Sequence, residues 1–335
     1  MVRKLVIYIA FFFFVIGLRA QDARFTQFFN DPLYTNPALT GNFLGKYRFG
    51  AHYRHQWASV TRAFQTGGVS ADIANILPST GLGLMIYNDL AGDGDYSNTQ
   101  ISVPLSYTFK LSSDSTQRLT LGAQPVFQFQ QLNFGDFFFD DQYDNGSFNP
   151  NIPTAETGFL QYETQRFFNL HAGAVYTSQK SKREYFQAGL AVHNALEPEN
   201  SWFGQTAQVN MRYSVHGNAA IRFSQGFNVN PGIRYMRQGP HQEIMGGANL
   251  AFHFNDSPFK NKSIEVGPWY RHNDAAILYA GAHIERWKIG LSYDINISSL
   301  ERASNNRGAW EVALLYTIEY IKPDRKKFKN CPTFL

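Results

Sequence analysis

The sequence predicts an all-β fold, a transmembrane antiparallel β-barrel of about fourteen strands, and three observations carry that prediction. In Trp287 to Ser298 the apolar Trp287, Ile289, Leu291, Tyr293, Ile295 and Ile297 alternate with polar or small residues, which puts one greasy and one polar face on a strand long enough to cross a bilayer at barrel tilt. Comparable alternation recurs in fourteen segments, from residues 46–54 to residues 308–320. Finally, 30 Phe, 18 Tyr and 27 Gly accompany a mean hydropathy of -0.32, and no apolar run after the N-terminus approaches the roughly 20 residues of a spanning helix. A helical membrane protein is thereby excluded. A soluble sandwich or propeller would not need so many aromatics near strand ends, where membrane barrels carry interfacial girdles.

In chain order, Arg3 and Lys4 precede Leu5 to Leu18, an apolar run too short to span and of the length of a signal-peptide core. Residues 1–20 are expected to be a signal peptide cleaved after Ala20. Its removal takes Arg3, Lys4 and Arg19 with no acid and lowers the formal charge from +4 to +1, so the pI near 9 is no argument for nucleic acid. Residues 21–45 do not alternate. Asp31-Pro32 and Asn36-Pro37 are turn formers, and Phe25, Phe28, Phe29, Leu33 and Tyr34 are apolar with no sheet to join, so the segment is expected to be an ordered irregular cap or plug.

Residues 46–321 are expected to be the barrel. Short connections such as Ser224 to Gly226 and Glu285 to Arg286 fall at even positions, while Gln131 to Gln165 is the longest of the odd ones. Since such barrels keep short turns in the periplasm and long loops outside, both termini are expected to be periplasmic. Pro104, Pro125, Pro231 and Pro268 fall inside candidate strands, where each removes a ladder hydrogen bond, so bulges or shifted boundaries are expected there. The polar phase supplies Arg48, His52, Arg54, Arg212, His216, Arg222 and Arg234 as candidate lumen-lining residues, with Glu243, His253, Glu265, Arg271, Lys288 and Asp294. A charge facing lipid at the midplane costs roughly 2 to 4 kcal/mol, which sends this face inward.

Residues 322–335 continue past the last strand as a basic periplasmic tail. Lys326, Lys327, Lys329, Cys331, Pro332 and Phe334 are candidate partner-binding residues there, and Phe25, Phe28 and Tyr34 are candidates in the N-terminal segment. Cys331 is the single cysteine, which excludes an intrachain disulfide and a cysteine-based metal cluster. Hydrolase, metalloprotease and nucleotide-binding motifs are absent, so neither an enzyme nor a cofactor is expected. His52 and His55 would point to opposite faces of a strand. The acidic turns with Asp89, Asp93 and Asp95 and with Asp140, Asp141 and Asp144 have oxygen ligands but lack an EF-hand pattern, and solvated loops account for them.

The opening QDARFTQFFNDPLYTNPALTG resembles the N-terminus of the PorP/SprF family of type IX secretion membrane proteins. Gln21, Asp22, Phe25, Gln27, Pro32, Leu33, Tyr34, Asn36, Pro37, Ala38 and Gly41 match, while Asp31 stands where Asn is more usual. Ser70 to Asp72, Gly81 to Leu84 with Asp89 and Gly92, and Cys331-Pro332-x-Phe334 are similar too. The resemblance implies an outer-membrane barrel of the Bacteroidetes lineage, serving type IX secretion and in many members gliding motility. Its implied partners are outer-membrane lipid, periplasmic machine subunits, or the C-terminal signal domain of a secreted adhesin. Fourteen strands also suit a passive channel for small or hydrophobic molecules, with the N-terminal segment as a hatch.

Overall fold

The computed structural model describes residues 22, 24–57, 63–92, 96–132, 139–144, 147–149, 151–154, 164–181, 184–200, 207–255, 262–298 and 304–318. Among these, fourteen antiparallel strands close into a barrel. They are β1 Tyr47–Gln56, β2 Phe64–Leu77, β3 Thr80–Ala91, β4 in two pieces (Tyr96–Ser102 and Leu105–Lys110), β5 Gln117–Gln131, β6 Thr164–Ser181 and β7 Glu184–His193. The second half comprises β8 Arg212–Ser224, β9 Phe227–Gln238, β10 His241–Asn255, β11 Lys262–Arg271, β12 Ala275–Ile284, β13 Trp287–Asn296 and β14 Arg307–Ile318. Each strand pairs with its sequence neighbours, and β14 pairs with β1 from Tyr47 against Ile318 to Gln56 against Ala309, so the sheet has no free edge.

Strand β11 shows why these sequences close rather than stack. Its Ile264, Val266 and Tyr270 are exposed, while Ser263, Glu265, Trp269 and Arg271 are buried. The apolar phase is thus outside and the polar phase inside, the reverse of a soluble fold, because lipid rather than water is the outer solvent. Aromatic rings gather at both rims: Tyr53 with Trp310 and Phe127 with Phe129 at one end, Trp287 with Tyr316 and Tyr107 with Phe109 at the other.

The prolines act locally. Pro104 separates the two pieces of β4, and the β4–β5 ladder lapses between Ser102/Val126 and Leu105/Ala123, opposite Pro125. Strands continue through Pro231 and Pro268, with one ladder lapsing beside each: β8–β9 between Asn218/Gly232 and Ile221/Val229, and β10–β11 between Gly247/Trp269 and Leu250/Val266. On its other side each of these prolines keeps register, so the missing N–H is confined to one seam.

Residues 24–45 run inside the barrel, where Phe25, Phe28, Leu33, Tyr34, Ala38 and Leu39 form its apolar centre with wall residues. The expected periplasmic termini fall outside the described residues, but the described ends of the chain do not share a mouth. Asp22 lies beside Gln238 and Arg212, at the end of β9 and the start of β8, whereas Lys46 donates its backbone N–H to Ile318 at the other end. The described chain ends therefore sit at opposite mouths. Residues 1–21 and 319–335, including Lys326, Lys327, Lys329, Cys331, Pro332 and Phe334, lie outside the described residues.

Candidate functional site

The site is the filled lumen. Three short turns, Phe28–Asn30, Pro32–Thr35 and Pro37–Leu39, fold the N-terminal segment without a regular element. Prolines begin the second and third, where a missing N–H costs nothing, and the Asn36 side chain accepts from Ala38 N at 2.9 Å to fix the bend between them. We refer to this segment as the plug.

Its upper layer is ionic. Glu311 of β14 accepts two successive plug amides, Thr26 N at 2.8 Å and Gln27 N at 2.7 Å, and also meets Arg54 at 2.9 Å and His52 at 2.7 Å. Asp294 of β13 pairs with Arg54 at 2.8 Å and Arg271 at 3.0 Å, and the Thr26 hydroxyl donates to it at 3.1 Å while accepting from both arginines. Glu243 of β10 takes Arg234 at 2.7 Å, Arg271 at 3.4 Å and the plug's own Arg24 at 3.2 Å. Each of these buried charges thus has an opposite partner, the condition for keeping charges out of bulk water.

The middle layer is aromatic. Phe25 stacks on His52 with centroids 4.0 Å apart and meets Tyr34 edge-on at 5.1 Å. Phe28 and Phe29 close on Trp269 of β11 at 5.7 and 5.0 Å. The guanidinium groups of Arg212 and Arg234 lie over Tyr34 and Phe28, at 5.2 and 5.0 Å from the ring centroids. The Tyr34 hydroxyl accepts a 3.1 Å hydrogen bond from Arg212.

In the lower layer side chains hold backbone across the gap between plug and wall. Asp72 of β2 receives Gly41 N at 2.7 Å and holds Arg48 through two bonds at 2.9 and 2.7 Å, while Arg48 also donates to Leu39 O at 3.0 Å. Asn36 donates to Leu190 O at 2.9 Å and lies 3.2 Å from His216 Nε2. Gly81, Gly122 and Gly173 face this stretch, and a Cβ on any of them would strike Thr40, Pro37 and Ala38, or Asn36. Glycine is required there by close approach rather than by dihedral angle.

Arg48, His52, Arg54, Arg212, His216 and Arg234 are all buried on the inner face. Arg222 departs from them: it is half-buried at the end of β8 and caps its turn through Ser224 O and Gln225 O. Phe25, Phe28 and Tyr34 are buried, Phe25 and Tyr34 with Met85 and Tyr87 and Phe28 with Met245 and Trp269. His55 points outward against Trp310 while His52 is buried inside. Asp89 accepts from Thr66 at 2.6 Å in the lumen, and no metal-ligating group of three is present among the described residues. Sequence reasoning missed Glu311 and the roles of Asp72 and the glycines. Inward phase and carboxylate chemistry were the available signals for Glu311, but its partners Thr26 and Gln27 lie nearly the whole chain away.

Below the plug a cavity of about 300 Å³ remains, bounded by Phe28, Phe29 and Leu39 on one side and by Trp269, Asn230 and Lys288 on the other.

The family model for type IX secretion system membrane protein PorP/SprF matches residues 18–316. Among solved structures, the Ralstonia pickettii toluene transporter TbuX is similar over 86% of this chain and 93% of its own, with 9% identity and a TM-score of 0.50. A deltaS2S3 mutant of TodX, a monoaromatic hydrocarbon channel, is similar over 86% and 94%, also with 9% identity and a TM-score of 0.50. At such identity the likeness is one of fold. No curated protein matches the sequence. The closed barrel, apolar outside and polar within, is that of an integral outer-membrane protein. The chain belongs to the PorP/SprF family of type IX secretion system membrane proteins.

Proposed function

We propose that this protein is an outer-membrane component of the type IX secretion system that works through protein–protein contacts, supporting the secretion or surface attachment of adhesins and the gliding linked to them, rather than by conducting solute. The observation that supports this reading is the plug. A transport path through the lumen would have to displace a segment tied by Glu311, Asp294, Glu243 and Asp72, each in several charge-assisted bonds. A barrel so filled offers its two mouths and its rims as its working surfaces. In this reading the long-loop face meets a secreted partner such as an adhesin's C-terminal signal domain. The short-turn face and the tail beyond β14, with Lys326, Lys327, Lys329, Cys331, Pro332 and Phe334, meet periplasmic machine subunits.

Depleting the protein is then expected to stop surface delivery of a type IX cargo and leave uptake of small hydrophobic compounds unchanged. A second reading, a passive channel for small or hydrophobic molecules, is favoured by the cavity beside Trp269 and by the transport named for TbuX and TodX. Unchanged cargo delivery with impaired uptake would establish the channel instead.

A further inference from the structure

The path of the plug fixes which mouth receives which end of the chain. Followed by its contacts, it enters at one mouth and reaches the other, with one return midway where the Tyr34 hydroxyl meets Arg212. Asp22 bonds Gln238 at 3.0 Å, Asn194 at 2.9 Å and Arg212 at 3.3 Å, all at the mouth where β7 and β9 end and β8 begins. Thr26 is at Glu311 and Asp294, and Asn30 reaches Tyr279 in the middle of β12. Asn36 is at Leu190 and His216, Thr40 accepts from Ser106, and Lys46 bonds Ala74 O and Ile318 at the far rim.

The two mouths differ in their connections. Residues 132–163, 194–211 and 297–306 join strands on the Asp22 side, beside the shorter 57–63, 92–95, 239–240 and 272–274, while the other side has only the short connections 78–79, 111–116, 182–183, 225–226, 256–261 and 285–286. Long loops outside and short turns inside is the rule of outer-membrane barrels, and it makes the Asp22 mouth the external one. Consecutive Cα atoms lie about 3.8 Å apart, so cleavage after Ala20 leaves the new α-amino group within two residues of that mouth and far from the other.

We infer that the mature N-terminus of this protein opens on the cell surface while β14 ends at the periplasmic face, so that the plug is a continuous peptide running from one side of the membrane to the other. The inference rests on the polarity adopted above. It gives the two classes of partner different ends of the chain: an amino terminus beside the half-exposed Arg24 outside, and the basic tail inside. It also constrains assembly. A segment carrying Asp22, Arg24 and Asp31 does not cross lipid, so it must pass up the lumen before Glu311 and Asp294 close on it.

The native chain supplies one reporter, Cys331, near its C-terminus. A second chain, Ala23→Cys with Cys331→Ser, carries the reporter at the other end. With an impermeant maleimide on intact cells, the Ala23→Cys chain is expected to react to the same extent before and after outer-membrane rupture, and Cys331 only after it. An epitope inserted between Gln21 and Asp22 gives an independent reading with an antibody on intact cells, should the Ala23→Cys chain assemble poorly. Both ends reacting only after rupture would overturn the threaded path. The N-terminal reporter reacting only after rupture, with Cys331 reactive on intact cells, would overturn the polarity and leave the threading intact.

Discussion

Glu311 shows how one residue can hold a segment with no regular structure of its own. Its two carboxylate oxygens take successive plug amides, and Arg54 and His52 supply the compensating charge, so the side chain is a template for the Thr26–Gln27 backbone. Glu311→Gln keeps the size but replaces one acceptor with a donor facing a donor and leaves Arg54 less balanced. Removing one member of a buried pair costs about 3 to 5 kcal/mol. Hydrogen exchange at the Thr26 and Gln27 amides is expected to accelerate strongly, while the β11–β12 ladder stays protected. Glu265→Gln is the contrasting case, because Glu265 meets Lys288 only at 3.6 Å and a quarter of the Lys288 side chain is open to solvent. Unaltered plug exchange in Glu311→Gln would remove the template role. Gly122→Val tests the lower layer: its side chain would collide with Pro37 and Ala38. A penalty of about 1 to 3 kcal/mol, the usual cost of overpacking, is expected as a lowered unfolding midpoint in detergent.

At the scale of elements, the strands were legible and the plug's contacts were not, for a physical reason. Each strand separates two solvents, and that separation writes a period of two into every segment: Ile264, Val266 and Tyr270 against Ser263, Glu265 and Arg271. The plug meets protein on all sides, so its sequence has no period, and only its Asp-Pro and Asn-Pro turns were readable. Its inward partners are separated from it by most of the chain, as Gln27 is from Ser292 and Glu311, so nothing local to Glu311 or Gly122 marked the plug residues that each one meets. Turn lengths revealed which mouth has the long loops but could not reveal that the chain enters there, since an irregular segment of this length can run either way. The tail beyond β14 is a separate element-scale question. Truncation after Ile321 is expected to leave the barrel's abundance in the outer membrane near that of the full chain, because β14 already pairs with β1 through Ile318. If the tail docks the secretion machine, the same truncation abolishes co-purification of that partner and delivery of cargo. Cargo delivered normally at equal abundance would reduce the tail to an appendage.

For the whole molecule, the wall and the plug carry separable duties, and deleting residues 22–45 separates them. Interstrand hydrogen bonds close the wall without the plug's help: the ladder runs from β1 through β14 and back to β1. The deletion variant is therefore expected to remain rich in strand by circular dichroism and to keep the heat-modifiable gel migration of a closed barrel. Its unfolding temperature should fall, because Glu311, Asp294 and Asp72 lose the plug groups that share in their solvation. The vacated lumen fills with water and becomes a pore. Among the described residues five buried arginines, Arg48, Arg54, Arg212, Arg234 and Arg271, face six buried acids with Lys288 half-buried among them, so the pore has little net sign. Planar bilayers holding the intact protein are expected to stay silent, and those holding the deletion variant to show steady conductance with weak preference between cations and anions. A silent deletion variant that still migrates as a closed barrel would mean that the wall collapses onto the space the plug leaves. A conducting intact protein would mean that the plug moves, and would turn the function toward the channel.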